Sequence, residues 1–300
     1  MMESLSPIAD ILISVSSQVF VMGVIAFAAA IFLRKPNKDK TITKNFAYVE
    51  EQKGFFSSEI KVEAFFPFFN AFMLYVGGTA LIALMGNYSY ELLFPEAALE
   101  PVLTSLPFPI LVLAVLMIVD LMSYLAHRFM HRFLWYYHAA HHAAEEISWM
   151  TSFRLHPLEK IIFIFTGGSL VGYLFGTNET VIYALAIAVF FDGLYNMFVH
   201  MNLQLEYPKW LRYILVSPNM HRWHHARDDV KAYDQNFATV FSFYDVLLGT
   251  YYVPEGRIPE ACGVDQGIEG EAFPRTFLGQ VFYPFKWHAH AIKHLFTKIK

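Results

Sequence analysis

Apolar residues along this 300-residue chain gather into unbroken runs, with most polar residues confined between them. A helix needs about 20 apolar residues to cross a bilayer core, so runs of that length predict spans. They fall over about Ile11–Leu33, Phe65–Leu84, Phe108–Ala126 and Val181–Val199. A further candidate span, fourth in chain order at about Ile161–Phe175, is short, which leaves a re-entrant half-hairpin as the alternative. The tight link "GTNET" joins it to the run that starts at Val181, which makes the two an antiparallel hairpin. Residues 201–300 hold no further run, and Pro208, Pro218, Pro254, Pro259 and Pro284 divide them into short helical or irregular pieces. The expected fold is all-α, an integral membrane helical bundle of about four to five spans.

Charge orients the bundle, because cytoplasmic loops carry an excess of Lys and Arg. The segment 34–62 holds Arg34, Lys35, Lys38, Lys40, Lys44, Lys53 and Lys61, whereas 86–105 holds neither residue type. The run ending at Ala126 and the hairpin ending at Val199 then both exit on the cytoplasmic side. Residues 1–105 are read as an N-terminal transmembrane region with a cytoplasmic loop, 34–62. Residues 106–253 carry the later runs and an expected cytoplasmic, histidine-rich helical cap, and 254–300 an interfacial tail. That tail, "FYPFKWHAHAIKHLFTKIK", mixes Lys with aromatics as an interfacial amphipathic helix does, and an ordinary basic tail fits as well. The opening "MMESLSPIAD" lacks a basic n-region, so the first run is expected to be a span and not a cleaved signal.

Composition agrees. Only 16% of residues are charged, against about 25% in soluble chains. A net charge of −4 excludes a large nucleic-acid footprint, and the single Cys262 excludes an internal disulfide. What changes the picture is an excess of histidine, 13 residues.

Those histidines collect where apolar runs end, in "HRFMHRFLWYYHAAHH" (127–142) and "NMHRWHH" (219–225). His127 and His131 stand four apart, on one helical face. His138, His141 and His142 form H-x-x-H-H, repeated as His221, His224 and His225. Asn196 and His200 stand four apart at the end of the last run, so each half is a span with a polar pair followed by H-x-x-H-H. Eight or more imidazoles exceed one metal's shell and suit two ions held close together. His156, in "SFRLHPLEK", is a further candidate ligand, whereas His288, His290 and His294 in the tail are read as structural.

Imidazole suits Fe, Zn, Cu or Ni, and ligand type alone does not choose among them. The metalloprotease H-E-x-x-H is absent, since "HRFMH" has Arg in place of the general-base Glu. Nitrogen ligation beside lipid fits oxygen activation by iron better than hydrolysis, because an apolar C–H offers a Lewis acid nothing to polarise. Ligating imidazoles usually donate their other N–H to a carboxylate or carbonyl. Candidates for that role are Glu145, Glu146, Asp228 and Asp229 after the two clusters, and Asp120, Asp192 and Asn196 within the spans. Pairing of these acids with Arg128, Arg132, Arg154, Arg222 or Arg227 is the competing reading.

The boxes resemble those of the fatty acid hydroxylase / sterol desaturase superfamily, integral-membrane di-iron oxygenases, in its bacterial form. The resemblance rests on H-x-x-x-H at His127/His131 and on the two H-x-x-H-H boxes. "SFRLHPLE", "FVHMNL", "VSPNMHRWHH" and "NFATVFSFYDVLLGTY" add to it, and it covers about 106–253. One departure is Asn196, where fatty-acid 2-hydroxylases of the superfamily carry another histidine; an oxygen ligand, a water or His156 would then complete the shell. The resemblance implies two iron ions (zinc substituting in purified protein), O₂, and hydroxylation or desaturation of a C–H bond in a sterol, fatty acyl or related lipid. It implies electrons from NAD(P)H through a separate reductase with a ferredoxin or cytochrome b5-like carrier, at the cytoplasmic face of a bacterial inner membrane. No catalytic residue beyond the metal ligands is expected. Two other classes compete: a b-type cytochrome with paired histidines on haem, which leaves the H-x-x-H-H triplets unexplained, and a metal transporter, which calls for ligands at mid-membrane.

Overall fold

The computed structural model describes residues 36–37, 48–49, 59–73, 105–175 and 179–297. The expected first span and the later part of the second lie outside the described residues. Apart from a two-residue parallel pair, Pro36–Asn37 with Tyr48–Val49, the regular structure among the described residues is helical.

After α1 (Ile60–Met73) the chain enters α2, Phe108–Phe133. This helix starts behind Pro107 with Pro109 in its first turn, where a missing N–H costs no hydrogen bond. The apolar run ends at Ala126 but the helix does not. Seven more residues, about 10 Å of helix at 1.5 Å per residue, carry His127 and His131 past it. At Leu134 (φ −128°) the helix breaks, and α3 (Trp135–His142) turns back over its end.

Helix α4 spans Pro157–Phe175, and α5 spans Glu179–Val199. Pro157 supplies the first residue of α4 and holds the preceding His156 out of the helix, so α4 begins four residues earlier than the apolar run. Its 19 residues make one continuous helix of about 28 Å, so the half-hairpin alternative does not hold. Both α4 and α5 pack against α2. Leu111, Val115, Val181, Ala184 and Ala188 face inward, while Ile110, Leu113, Leu125, Ile182, Ile187 and Phe191 stay exposed. Helices α2 and α5 are long and apolar enough to cross a membrane, and their outward apolar faces suit lipid. Their C-terminal ends meet the N-terminal end of α4, which brings His127, Glu159 and His200 to one level.

The remaining elements close that end. Ser217 accepts from the Met220 N–H and Pro218 opens the short α6 (Pro218–His224), which presents the second H-x-x-H-H box. The short α7 (Phe243–Leu248) lies back along α2, where the Tyr244 hydroxyl donates to the Met117 carbonyl at 2.8 Å. The last helix, α8 (Phe277–Thr297), is the expected tail helix; it buries Gln280, Val281 and Tyr283 and exposes Leu278, Phe282 and Phe285. Buried Arg154 ties three elements together, donating to the Ala140 carbonyl (3.1 Å), Gln280 Oε1 (3.1 Å) and Glu59 Oε2 (2.5 Å).

Candidate metal centre

Nine imidazoles converge into two groups. His127, His131, His138, His142 and His224 form one, and His141, His200, His221 and His225 the other; within each group the candidate ligand atoms lie within 4.8 Å of one another. The pairs four apart (127/131, 138/142, 221/225) each stay in one group. The third member of each H-x-x-H-H box, His141 or His224, crosses to the other group. The three histidines of a box therefore lie on one helical face but do not share one position. Each position draws on both halves of the sequence.

Ring tautomers show what the groups fit. A carbonyl can only accept, so a ring whose Nδ1 faces one carries its proton there and a lone pair on Nε2. His127 Nδ1 donates to the Phe237 carbonyl (2.9 Å), and His224 Nδ1 donates to the Gln235 carbonyl (2.7 Å). His138 Nδ1 donates to Glu159 Oε1 (2.6 Å), His131 Nδ1 to Asp234 Oδ1 (3.2 Å), and His200 Nδ1 to the Asn196 carbonyl (2.7 Å). Their Nε2 atoms point at one another: His127 to His138 at 3.0 Å, His131 to His142 at 3.1 Å, His200 to His221 at 2.8 Å. In the His127–His138 pair both tautomers are fixed, and facing lone pairs at that distance repel unless a cation lies between them. The donor set therefore fits a metal ion in each group.

Burial reinforces this. It holds His138, His141, His142, His221, His224 and His225 well below the ordinary imidazole pKa, with neighbouring imidazoles adding to the effect. Burial also pushes His200 down to about 4. Neutral imidazole is the metal-binding form.

The predicted supporting residues divide. Asn196 contributes its backbone carbonyl to His200. Asp120 touches no imidazole: its Oδ1 accepts from the N–H groups of Thr239 and Val240 (3.1 Å each) and its Oδ2 from Phe241 (2.7 Å). Asp245 accepts from the two preceding N–H groups, Phe237 (2.7 Å) and Ala238 (3.0 Å). Two carboxylates thus satisfy five successive N–H groups of the loop that holds His127 and His224 in orientation. Asp192 lies in the wall of a cavity and on no imidazole. Glu145 pairs with Arg275 (2.7 Å) and Arg227 (3.5 Å). Asp228 accepts from the Glu260 N–H, and Asp229 from the Lys231 N–H and the Tyr252 hydroxyl. These three acids brace surface loops, and Glu146 also stands outside both groups. His156 is not brought to the centre. Its Nε2 donates to the Val281 carbonyl (3.1 Å) and its Nδ1 accepts from the Leu158 N–H (3.2 Å), which leaves no nitrogen for a metal.

Sequence reasoning passed over Glu159, Asp234 and the carbonyls of Gln235 and Phe237. Glu159 lies in the same "HPLEK" that drew attention to His156, and a carboxylate at the first turn of the next helix was the available signal. Backbone carbonyls give none.

Two cavities flank the centre. An outer one of about 550 Å³ touches His131, His142 and His224 and is otherwise lined by Trp135, Arg227, Tyr233, Asp234 and residues 263–266. An inner one of about 110 Å³ touches His127, His138, His141, His200 and His221 from the side of α2, α4 and α5.

Comparison with known proteins agrees with this picture. Residues 112–250 match the family model described as fatty acid hydroxylase. The chain is 30% identical over 172 residues to ornithine lipid hydroxylase OlsE of Rhizobium tropici, which covers 57% of this chain and 49% of that protein. The chain thus spans about half the length of this curated relative. No solved structure matches the chain significantly.

Proposed function

We propose, from the match of residues 112–250 to the fatty acid hydroxylase family model, that this chain is a membrane-bound di-iron oxygenase that hydroxylates a C–H bond of a membrane lipid. The observation that carries the reading is the pair of histidine groups whose Nε2 lone pairs converge, five donors in one and four in the other. His127, His131, His138, His142 and His224 would hold one iron, and His141, His200, His221 and His225 the second. Iron supplies the capacity to activate O₂ for attack on an unactivated C–H bond. The overall change is R–H + O₂ + 2 electrons + 2 protons giving R–OH + H₂O, with electrons from NAD(P)H through a separate protein carrier.

The chain's own residues do the rest. Glu159, Asp234 and the carbonyls of Asn196, Gln235 and Phe237 fix five rings in the tautomer that points Nε2 inward. Buried Tyr124, Phe237 and Val240 shield the centre from bulk water on the α2 side. The excess of Lys and Arg in segment 34–62 supports a centre at the cytoplasmic face of an inner membrane. The relative's action on an ornithine lipid favours hydroxylation over desaturation. A bis-histidine haem would use two rings per iron and leave the other converging nitrogens without a role.

Two measurements test the reading. Purified protein reconstituted with ferrous iron should hold two irons per chain. Lipid extracts from cells with and without the protein should differ by a species one oxygen atom heavier, absent with His141→Ala. Equal extracts from wild type and His141→Ala would refute it.

A further inference from the structure

A methylene of an acyl chain offers nothing to a polar wall, and the wall between this centre and the long helices is polar. Besides histidines, the inner cavity is lined by Ser123 of α2, Glu159 and Lys160 of α4, Asp192 and Asn196 of α5, and Thr239; Leu155 and Phe163 are the apolar exceptions. Asp192 Oδ1 and Glu159 Oε2 are both buried without a hydrogen-bond partner among the described residues. Each such acceptor costs free energy unless something donates to it. An ionisable residue inside a spanning helix carries that cost with particular force. The cavity's volume of about 110 Å³ admits a group of about four heavy atoms, a water occupying about 30 Å³. That is room for a small polar moiety beside His141, His200 and His221.

Resting on the hydroxylase reading above, we propose that the inner cavity takes the head-group end of a lipid, and that the carbon hydroxylated sits next to a hydrogen-bond donor, an amine or hydroxyl. Asp192 receives that donor. Lys160 and Asn196 hold neighbouring oxygen atoms of the same head group, and the acyl chains run out along the apolar faces of α2 and α5 into the bilayer. The larger outer cavity is not the lipid's entry: His131, at the last turn of α2, is its one contribution from the long helices, and the rest of its lining comes from the short helices α3 and α6 and from residues 226–234 and 263–266. An acyl-chain hydroxylase needs an apolar slot at this place; here the slot carries two carboxylates, an ammonium and an amide.

The test is tandem mass spectrometry of lipids from cells expressing the full-length, iron-loaded protein. The added oxygen is expected in head-group fragments, with acyl fragments unshifted. Asp192→Asn, nearly isosteric, is expected to keep two irons and lose at least tenfold in product, with Lys160→Met showing a smaller loss. Oxygen found in the acyl fragments would overturn the proposal while leaving the hydroxylase reading intact. Full product from both variants would overturn the assignment of the cavity. Absence of any oxygenated lipid from wild type relative to His141→Ala defeats the hydroxylase reading itself, and this inference with it. Should Asp192→Asn lose its iron, the location of the oxygen in wild-type product decides alone.

Discussion

Asp120→Asn isolates the loop that holds two ligands in place without touching any of them. Asparagine can keep the Oδ1 contacts to the Thr239 and Val240 N–H groups, but its amide NH₂ then meets the Phe241 N–H where Oδ2 had accepted at 2.7 Å. Loss of a charge-assisted bond and a buried donor left facing a donor cost about 1.5–3 kcal/mol. The variant should therefore fold, given a typical stability of about 5–15 kcal/mol. The damage lands on the Gln235 and Phe237 carbonyls, which orient His224 and His127, both in the five-histidine group. Loss of such support lowers metal affinity about 10–100-fold. Among the described residues the four-histidine group takes no support from this loop, and its one backed ring, His200, leans on Asn196 of α5. Iron analysis after dialysis against graded chelator should show one iron retained as in wild type and one released earlier. Equal weakening of both irons, or wild-type retention of both, would show that the loop does not support one position selectively.

Other perturbations separate ligands from bystanders. Glu159→Ala should weaken iron in the five-histidine group, with Glu159→Gln milder because it can still accept from His138 Nδ1; chelator competition reads the order, and equal effects would count against the contact. His225→Ala should drop iron to about one per chain, measured by elemental analysis, because the four-histidine group has no spare donor. His156→Gln should leave both irons in place; loss of metal would reinstate His156 as a ligand. Burial lowers the His156 pKa from 6.5 to about 4, and its contact with the Val281 carbonyl opposes this. Stability from this group is therefore complete above pH 6.5 and is lost as pH falls toward 4, where the unfolded chain binds the proton first. The full loss is about 3 kcal/mol, so melting temperatures of His156→Gln should fall less between pH 7 and 4 than those of wild type.

What the sequence revealed and what it hid divide along a physical line. The boxes at His127/His131, His138/His141/His142 and His221/His224/His225 were legible because helical spacing of one rare residue type is a local signal. Their sorting into two positions was not, because it depends on how α3 and α6 face each other, 80 residues apart in sequence. The apolar runs marked where α2, α4 and α5 lie but not their polar ends, since a helix continues for as long as its backbone bonds are made. The expectation that acids just after each box would serve the imidazoles misled for Glu145, Asp228 and Asp229. Glu145 takes the competing reading instead, pairing with Arg227 and with Arg275, while the N–H donors to Asp228 and Asp229 lie in loops that composition does not place.

Asp120 shows why an acid sits within an apolar run at all. It lies seven residues before His127, about 10 Å deeper along α2. Segment 237–248 follows it to that depth, although its sequence holds no span. Non-helical backbone at such depth survives only when protein groups satisfy it. Asp120 and Asp245 accept its five consecutive N–H groups, which leaves the Gln235 and Phe237 carbonyls free to face histidines. The carboxylate in the span therefore acts on the loop, the loop acts on the rings, and the rings turn their lone pairs toward the interior of the five-histidine group. A chain lacking Asp120 would have to withdraw this loop toward water, and the five-histidine group would lose two of its supports together.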